Sequence, residues 1–183
     1  MPIYTKGGDG GKTRLLSGEL VQKFNPRIEA YGSVDELSSF IGVARSINKD
    51  KYLDALLKRI QSDLFIVCSE LASTKEILSK EPNKRIKIEA SHIHEIEKEI
   101  DKLEAELPRI SSFLYPSGTT LAAIFHVSRS VCRRSERSVC NLMEKEPLNM
   151  NVQIYLNRLS DLLFLLARKS NKDRGEDEEL WKI

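Results

Sequence analysis

Leu159-Ser-Asp-Leu-Leu-Phe-Leu-Leu-Ala167 is apolar around almost the whole of a helical wheel, with Asp161 its one charge. A helix of that kind is central in a bundle or covered by another subunit. Working outward, the pattern extends as helix five from Asn149 to Lys172, and Pro147 separates it from helix four, Thr119 to Glu146. Helix three spans Glu89 to Leu107, with Ile93, Ile96, Ile100 and Leu103 inside and Pro108 as its stop. Helix two runs from Lys51 to Ser73 with Leu53, Leu56, Leu57, Ile60, Leu64, Val67 and Leu71 along one side. Helix one runs from Pro26 to Ile47, opened by Asn25 as cap; Ser33 and Glu36 offer a second start about two turns later. Five amphipathic helices with mostly short connections predict an all-α, five-helix bundle over residues 25–173.

Ahead of the bundle, residues 1–24 hold five of the nine glycines and read as an ordered, glycine-rich loop with one short extended piece. Residues 174–183 form an acidic tail expected to fray. The 183 residues suit one domain and one core. The longest apolar run, Leu162 to Ala167, is far below the roughly 20 residues of a membrane span, and no apolar leader is read at the start. Cys68, Cys132 and Cys140 lie in helical patterns without a C-x-x-C pair, which predicts reduced thiols in a cytoplasmic protein. A net charge of +2 is too balanced to make nucleic acid or an anionic membrane the default partner.

Lys6-Gly-Gly-Asp-Gly-Gly-Lys-Thr13 invites comparison with the phosphate loop G-x-x-x-x-G-K-[ST], but Lys6 stands where the first glycine belongs. No alternation of strands and helices follows, so that fold is rejected. Successive glycines still let backbone N–H groups converge on an anion, and Lys6, Lys12, Thr13 and Arg14 add donors. A plain flexible terminus is the alternative.

Helix four carries Arg129, Arg133 and Arg137 at i, i+4 and i+8, with Arg134 and Glu136 beside them. Like charges at this spacing cost about 0.2–0.5 kcal/mol per pair, so the row calls for an anion, either a carboxylate or a phosphate. Asp35 and Asp161 are the candidate carboxylates, and a solvated or nucleic-acid-facing stripe is the alternative. Glu89-x-x-His92 matches half of a di-iron carboxylate motif, but no second pair exists. His126, three residues before the row, is either an interhelical histidine or a member of the site.

Five motifs in order, Tyr4-Thr-Lys-Gly-Gly-Asp-Gly-Gly-Lys-Thr13, Glu29-Ala-Tyr-Gly-Ser-Val-Asp-Glu-Leu37, Pro116-Ser-Gly-Thr119, His126 to Arg137 and Tyr155-Leu-Asn-Arg-Leu-Ser-Asp161, together resemble the PduO-type ATP:cob(I)alamin adenosyltransferases. The resemblance implies a homotrimer with interfacial active sites. It implies attack of cob(I)alamin on the 5′-carbon of ATP, giving adenosylcobalamin and triphosphate with Mg2+ assisting. Thr5, Lys6, Gly7, Gly8, Thr13, Arg14 and Lys23 are then expected to line the nucleotide with Arg133, Arg134, Glu136, Arg137 and Asn157. Arg133 is expected to stabilise the leaving charge, Asp35 and Arg129 to form an interfacial salt bridge, and Phe113 to crowd the lower face of cobalt. No side-chain metal site is assigned. Ser117 departs from the family's usual glycine. Further partners implied are a flavin reductase and a cobalamin-dependent acceptor enzyme, and the alternative function is a non-catalytic carrier or sensor of the same fold.

Overall fold

A computed structural model describes residue 4, residues 6–73 and residues 87–181. The chain runs β1 (Lys12–Arg14), β2 (Leu20–Gln22), α1 (Pro26–Ile47), α2 (Lys51–Leu71), α3 (Ala90–Glu106), α4 (Thr120–Met143) and α5 (Met150–Lys172). Each helix has a local reason to begin where it does. Asn25 accepts from the Arg27 N–H and puts Pro26 in the first turn, where a missing N–H costs nothing. Asp50, Thr119 and Asn149 cap α2, α4 and α5 through their side chains. The second possible start of α1 is not used: Ser33 is buried inside the helix, its hydroxyl donating to the Ala30 carbonyl at 2.8 Å.

The helix α5 is central within its own chain. Leu159, Leu162, Leu163, Leu165, Leu166 and Ala167 are all buried, and Asp161 is exposed. It packs between α4 and α3, while α1 packs against α4 on one side and α2 on the other. The Tyr155 hydroxyl, fully buried, donates to Asp63 of α2 at 2.9 Å and ties α5 to α2. Burial pushes the Asp63 carboxyl above its ordinary pKa, and the Tyr155 phenol is raised for the same reason. The apolar α5 is therefore accounted for without a second subunit.

Two expectations need correction. The amino-terminal segment holds not one extended piece but an antiparallel hairpin, with Lys12, Thr13 and Arg14 opposite Gln22, Val21 and Leu20. The acidic tail does not fray over its described length. The Tyr115 N–H donates to the Glu179 carbonyl, the Trp181 N–H donates to the Phe113 carbonyl, and Glu178 pairs with the buried guanidinium of Arg168 at 2.7 Å. Among the described residues, no helix is long and apolar enough to cross a membrane.

Candidate active site

The site's cationic wall is one face of α4. His126, Arg129 and Arg133 succeed one another along it, close enough that the charge of Arg133 lowers the Arg129 pKa and that of Arg129 lowers the His126 pKa. In both groups burial is the larger cause, because it disfavours the charged form. Arg129 Nε and His126 Nδ1 are buried without a hydrogen-bond partner. Among the described residues, no carboxylate lies within salt-bridge distance of Arg129, Arg133 or Arg137. Neither Asp35 nor Asp161 supplies the expected counter-charge within the chain. The arginine that is neutralised is Arg134, which pairs with Glu36 of α1.

Glu136 accepts from Asn157 Nδ2 at 3.0 Å, so these two site residues are brought together across α4 and α5. Sequence reading missed the continuation of this contact. Arg158 donates to Asn157 Oδ1 at 2.8 Å and to Glu97 of α3 at 3.0 Å. The run Asn157-Arg158-Leu-Ser-Asp161 held a hint of it, but the α3 partner lies 61 residues away.

The hairpin forms the second part. Arg14 donates to the Gly18 carbonyl at 2.8 Å, closing the turn in which Gly18 adopts a positive φ of 82°. Thr13 sits mid-strand opposite Val21. The Lys23 N–H donates to the Gly11 carbonyl, and the Lys23 ammonium lies over Gly8; a Cβ on Gly8 would approach it to 3.3 Å. The absent side chain leaves the amine close to the loop backbone. Lys6 itself holds a left-handed φ of 59°, an uncommon conformation for a side-chain-bearing residue. Gly7 is exposed, and Thr5 lies outside the described residues. Among those residues, no hydrogen bond or ion pair joins the hairpin to α4.

The third part is the turn before α4. Asn171 of α5 accepts from the Thr119 N–H at 2.9 Å and donates to the Ser117 carbonyl at 3.0 Å. Gly118 is pressed against this amide at a φ of 104°, so a side chain there would collide with Asn171. The positive φ falls on Gly118 and not on Ser117, so serine at 117 is compatible with the turn. Phe113, at the start of the segment, is 78% exposed, with the Trp181 ring centroid 6.2 Å from its own.

Two attractive side features fall away. His92 Nδ1 accepts from the Glu89 N–H at 3.1 Å, completing a reciprocal cap on α3, so this pair serves the helix end. Burial raises the Cys68 thiol to about 12 and places Cys132 higher still, which makes both poor nucleophiles.

The protein thus carries an arginine row without carboxylate partners among the described residues, a glycine-rich hairpin with a lysine over its backbone, and an exposed phenylalanine on a clamped turn. The model of the cobalamin adenosyltransferase family matches residues 3–170. A corrinoid adenosyltransferase of Mycobacterium leprae is 39% identical over 98% of this chain and 95% of its own length. The corrinoid adenosyltransferase MMAB of Bos taurus is 39% identical over 98% of this chain and 76% of its own. A phenylalanine-to-alanine variant of a Lactobacillus reuteri PduO-type ATP:corrinoid adenosyltransferase, complexed with cobalamin and ATP, superposes with a TM-score of 0.91 at 35% identity, covering all of both chains. An arginine-to-lysine variant of the same kind of enzyme, complexed with ATP, gives 0.89 at 36% identity over 98% of this chain and all of the other. The chain belongs to the cobalamin adenosyltransferase family.

Proposed function

We propose that this protein transfers the 5′-deoxyadenosyl group of ATP to cob(I)alamin. The cobalt–carbon bond forms as the bond from C5′ to the triphosphate oxygen breaks, and that oxygen keeps the electron pair. The nucleophile arrives as a reduced metal, so no general base is required of the protein. The demand on the side chains is to accept charge as triphosphate leaves, and fixed donors already in place do so without reorganising. The observation that carries this reading is that Arg129, Arg133 and Arg137 share a face with no carboxylate partner among the described residues. Arg133 takes the leaving charge, with Arg137, Arg134 and the Glu136–Asn157 pair around it. Lys6, Gly7, Gly8, Thr13, Arg14 and Lys23 bring the hairpin's donors, and the resemblance adds Thr5, which lies outside the described residues.

Mg2+ neutralises further phosphate charge when bound. Among the described residues, no group of three or more His, Cys, Asp or Glu side chains is placed to hold it. Mg2+ characteristically keeps several waters and is held by one or two carboxylates plus substrate phosphates, and Glu136 is a carboxylate on the helix that carries the arginine row. Among the described residues no hydrogen bond or ion pair links the hairpin to α4, and Asp35 and Arg129 each lack an ion-pair partner, which is compatible with a homotrimer with interfacial sites. Phe24 and Phe65, at 81% and 68% exposure, offer apolar surface for such contacts. A flavin reductase upstream, a cobalamin-dependent acceptor downstream, one domain over 1–183 and the cytoplasm complete the reading; three free thiols suit that reducing compartment.

The test is to mix protein, ATP, Mg2+ and chemically reduced cobalamin and to measure adenosylcobalamin and triphosphate. Equimolar formation of both supports the transferase. Tight binding of ATP and corrinoid without product would mark a carrier instead.

A further inference from the structure

We propose that Arg158 and Glu97 are positioning residues for nucleotide binding, acting through the side-chain amide of Asn157. The inference rests on the nucleotide site proposed above and concerns residues outside it. Asn157 lies between a carboxylate, Glu136 at 3.0 Å, and a guanidinium, Arg158 at 2.8 Å. An ionised carboxylate only accepts hydrogen bonds and a guanidinium only donates them. Asn157 therefore has one orientation that satisfies both neighbours, with Nδ2 toward Glu136 and Oδ1 toward Arg158.

Arg158 is steered in turn. Its Nε donates to Glu97 on α3 at 3.0 Å, which leaves Nη1 directed at Asn157. The side chains of both Arg158 and Glu97 are 40% exposed, and an ion pair at that exposure contributes little to folding. What the pair does provide is direction. Three helices fix one amide, and through it one oxygen of Glu136, a single turn from Arg133. A geometry set before ATP arrives need not be ordered during binding.

Without Arg158, Oδ1 loses its donor and the amide is held at its Glu136 end alone. It swings about that single contact, and the arrangement must be rebuilt in each binding event. Arg158→Met, which keeps the aliphatic stem, is expected to raise KM for ATP and the directly titrated ATP Kd about tenfold. KM for the corrinoid and the melting temperature should stay near those of the parent protein. Glu97→Ala should act in the same direction more weakly, and Glu97→Gln, which retains an acceptor for Arg158 Nε, should recover most of that loss.

The deciding measurement is the ATP Kd of Asn157→Ala, Arg158→Met and the double variant. If Arg158 works through Asn157, the double variant is no weaker than Asn157→Ala alone. Multiplying losses, or an Arg158→Met protein that binds ATP as tightly as its parent, would overturn the proposal. A parent protein that binds no ATP would instead overturn the nucleotide site, so the two failures are distinguishable.

Discussion

The backbone N–H of Trp181 donates to the carbonyl of Phe113 at 2.8 Å, and their rings meet at 6.2 Å between centroids. The tail thereby fixes the backbone that carries Phe113 while leaving most of its ring exposed. A rigidly mounted, uncovered aromatic ring is suited to pack against a flat apolar ligand face. If the ring crowds the lower face of cobalt, as the resemblance implies, Phe113→Ala should impair use of cob(II)alamin with a reductant far more than use of cob(I)alamin reduced beforehand. Parallel assays from the two oxidation states check this, and equal losses in both would remove Phe113 from that role.

Arg133 and Arg134 are neighbours in sequence with opposite circumstances: Arg134 is paired to Glu36, and Arg133 has no carboxylate partner among the described residues. Arg133→Ala should cost about 10²–10³ in kcat, the usual loss when one donor to a developing negative charge is removed. The melting temperature in the absence of ligand should not fall, because a like charge has been taken from beside Arg129. Arg134→Ala should cost less in kcat, since its charge is already partly neutralised. Steady-state kinetics with saturating corrinoid separate the two, and a fully active Arg133→Ala protein would leave the leaving group without its assigned donor.

Much of the bundle was legible because burial repeats at helical spacing over each long element. Caps at Asn25, Thr119 and Asn149 then set the starts of α1, α4 and α5 near the expected residues. The hairpin was not legible as such, because three-residue strands are too short to establish a period of two. Neither was the pairing of Glu36 with Arg134; Glu36 and the candidate Asp35 point about 100° apart on a helix. Which of them meets Arg134 depends on how α1 is rotated against α4, and that is decided by packing. The docking of the tail depends on backbone groups of the Phe113 segment, and backbone hydrogen bonding carries no side-chain signature. The juxtaposition of Glu136 with Asn157 was foreshadowed by the resemblance, which implies both at the nucleotide, whereas Arg158 and Glu97 became visible only when α3 was set beside α5.

Acid should weaken the fold partly through His126. Burial, and secondarily the Arg129 charge, hold its folded pKa below the ordinary 6.5. As pH falls past 6.5, the unfolded chain takes up a proton that the folded chain refuses, so the unfolded state binds more protons and stability declines. The decline continues until the folded pKa is reached. His126→Gln should flatten the stability profile between about pH 7 and 5.5, before the carboxylates begin to titrate strongly. Urea unfolding at several pH values measures the slope. An unchanged slope would show that His126 does not refuse the proton.

Loss of Arg27 should cost the fold heavily. It is 5% exposed, and its guanidinium donates to the Leu71 and Ser73 carbonyls at 2.6 and 2.9 Å and to Glu146 at 2.5 Å. One side chain thus closes the carboxyl end of α2, whose last carbonyls have no helical partner, and ties it to the segment that follows α4. Arg27→Met preserves the stem but strands two buried carbonyls. Glu146, at 29% side-chain exposure, can regain water. At about 1–3 kcal/mol for each unsatisfied group, partly relieved by relaxation, the expected loss is about 3 kcal/mol. Arg27→Lys should recover only part of it, because an ammonium lacks the planar fork that reaches carboxylate and carbonyls together. Denaturant midpoints of the three proteins rank these costs. A Lys variant as stable as the parent would show that charge alone is what this position requires.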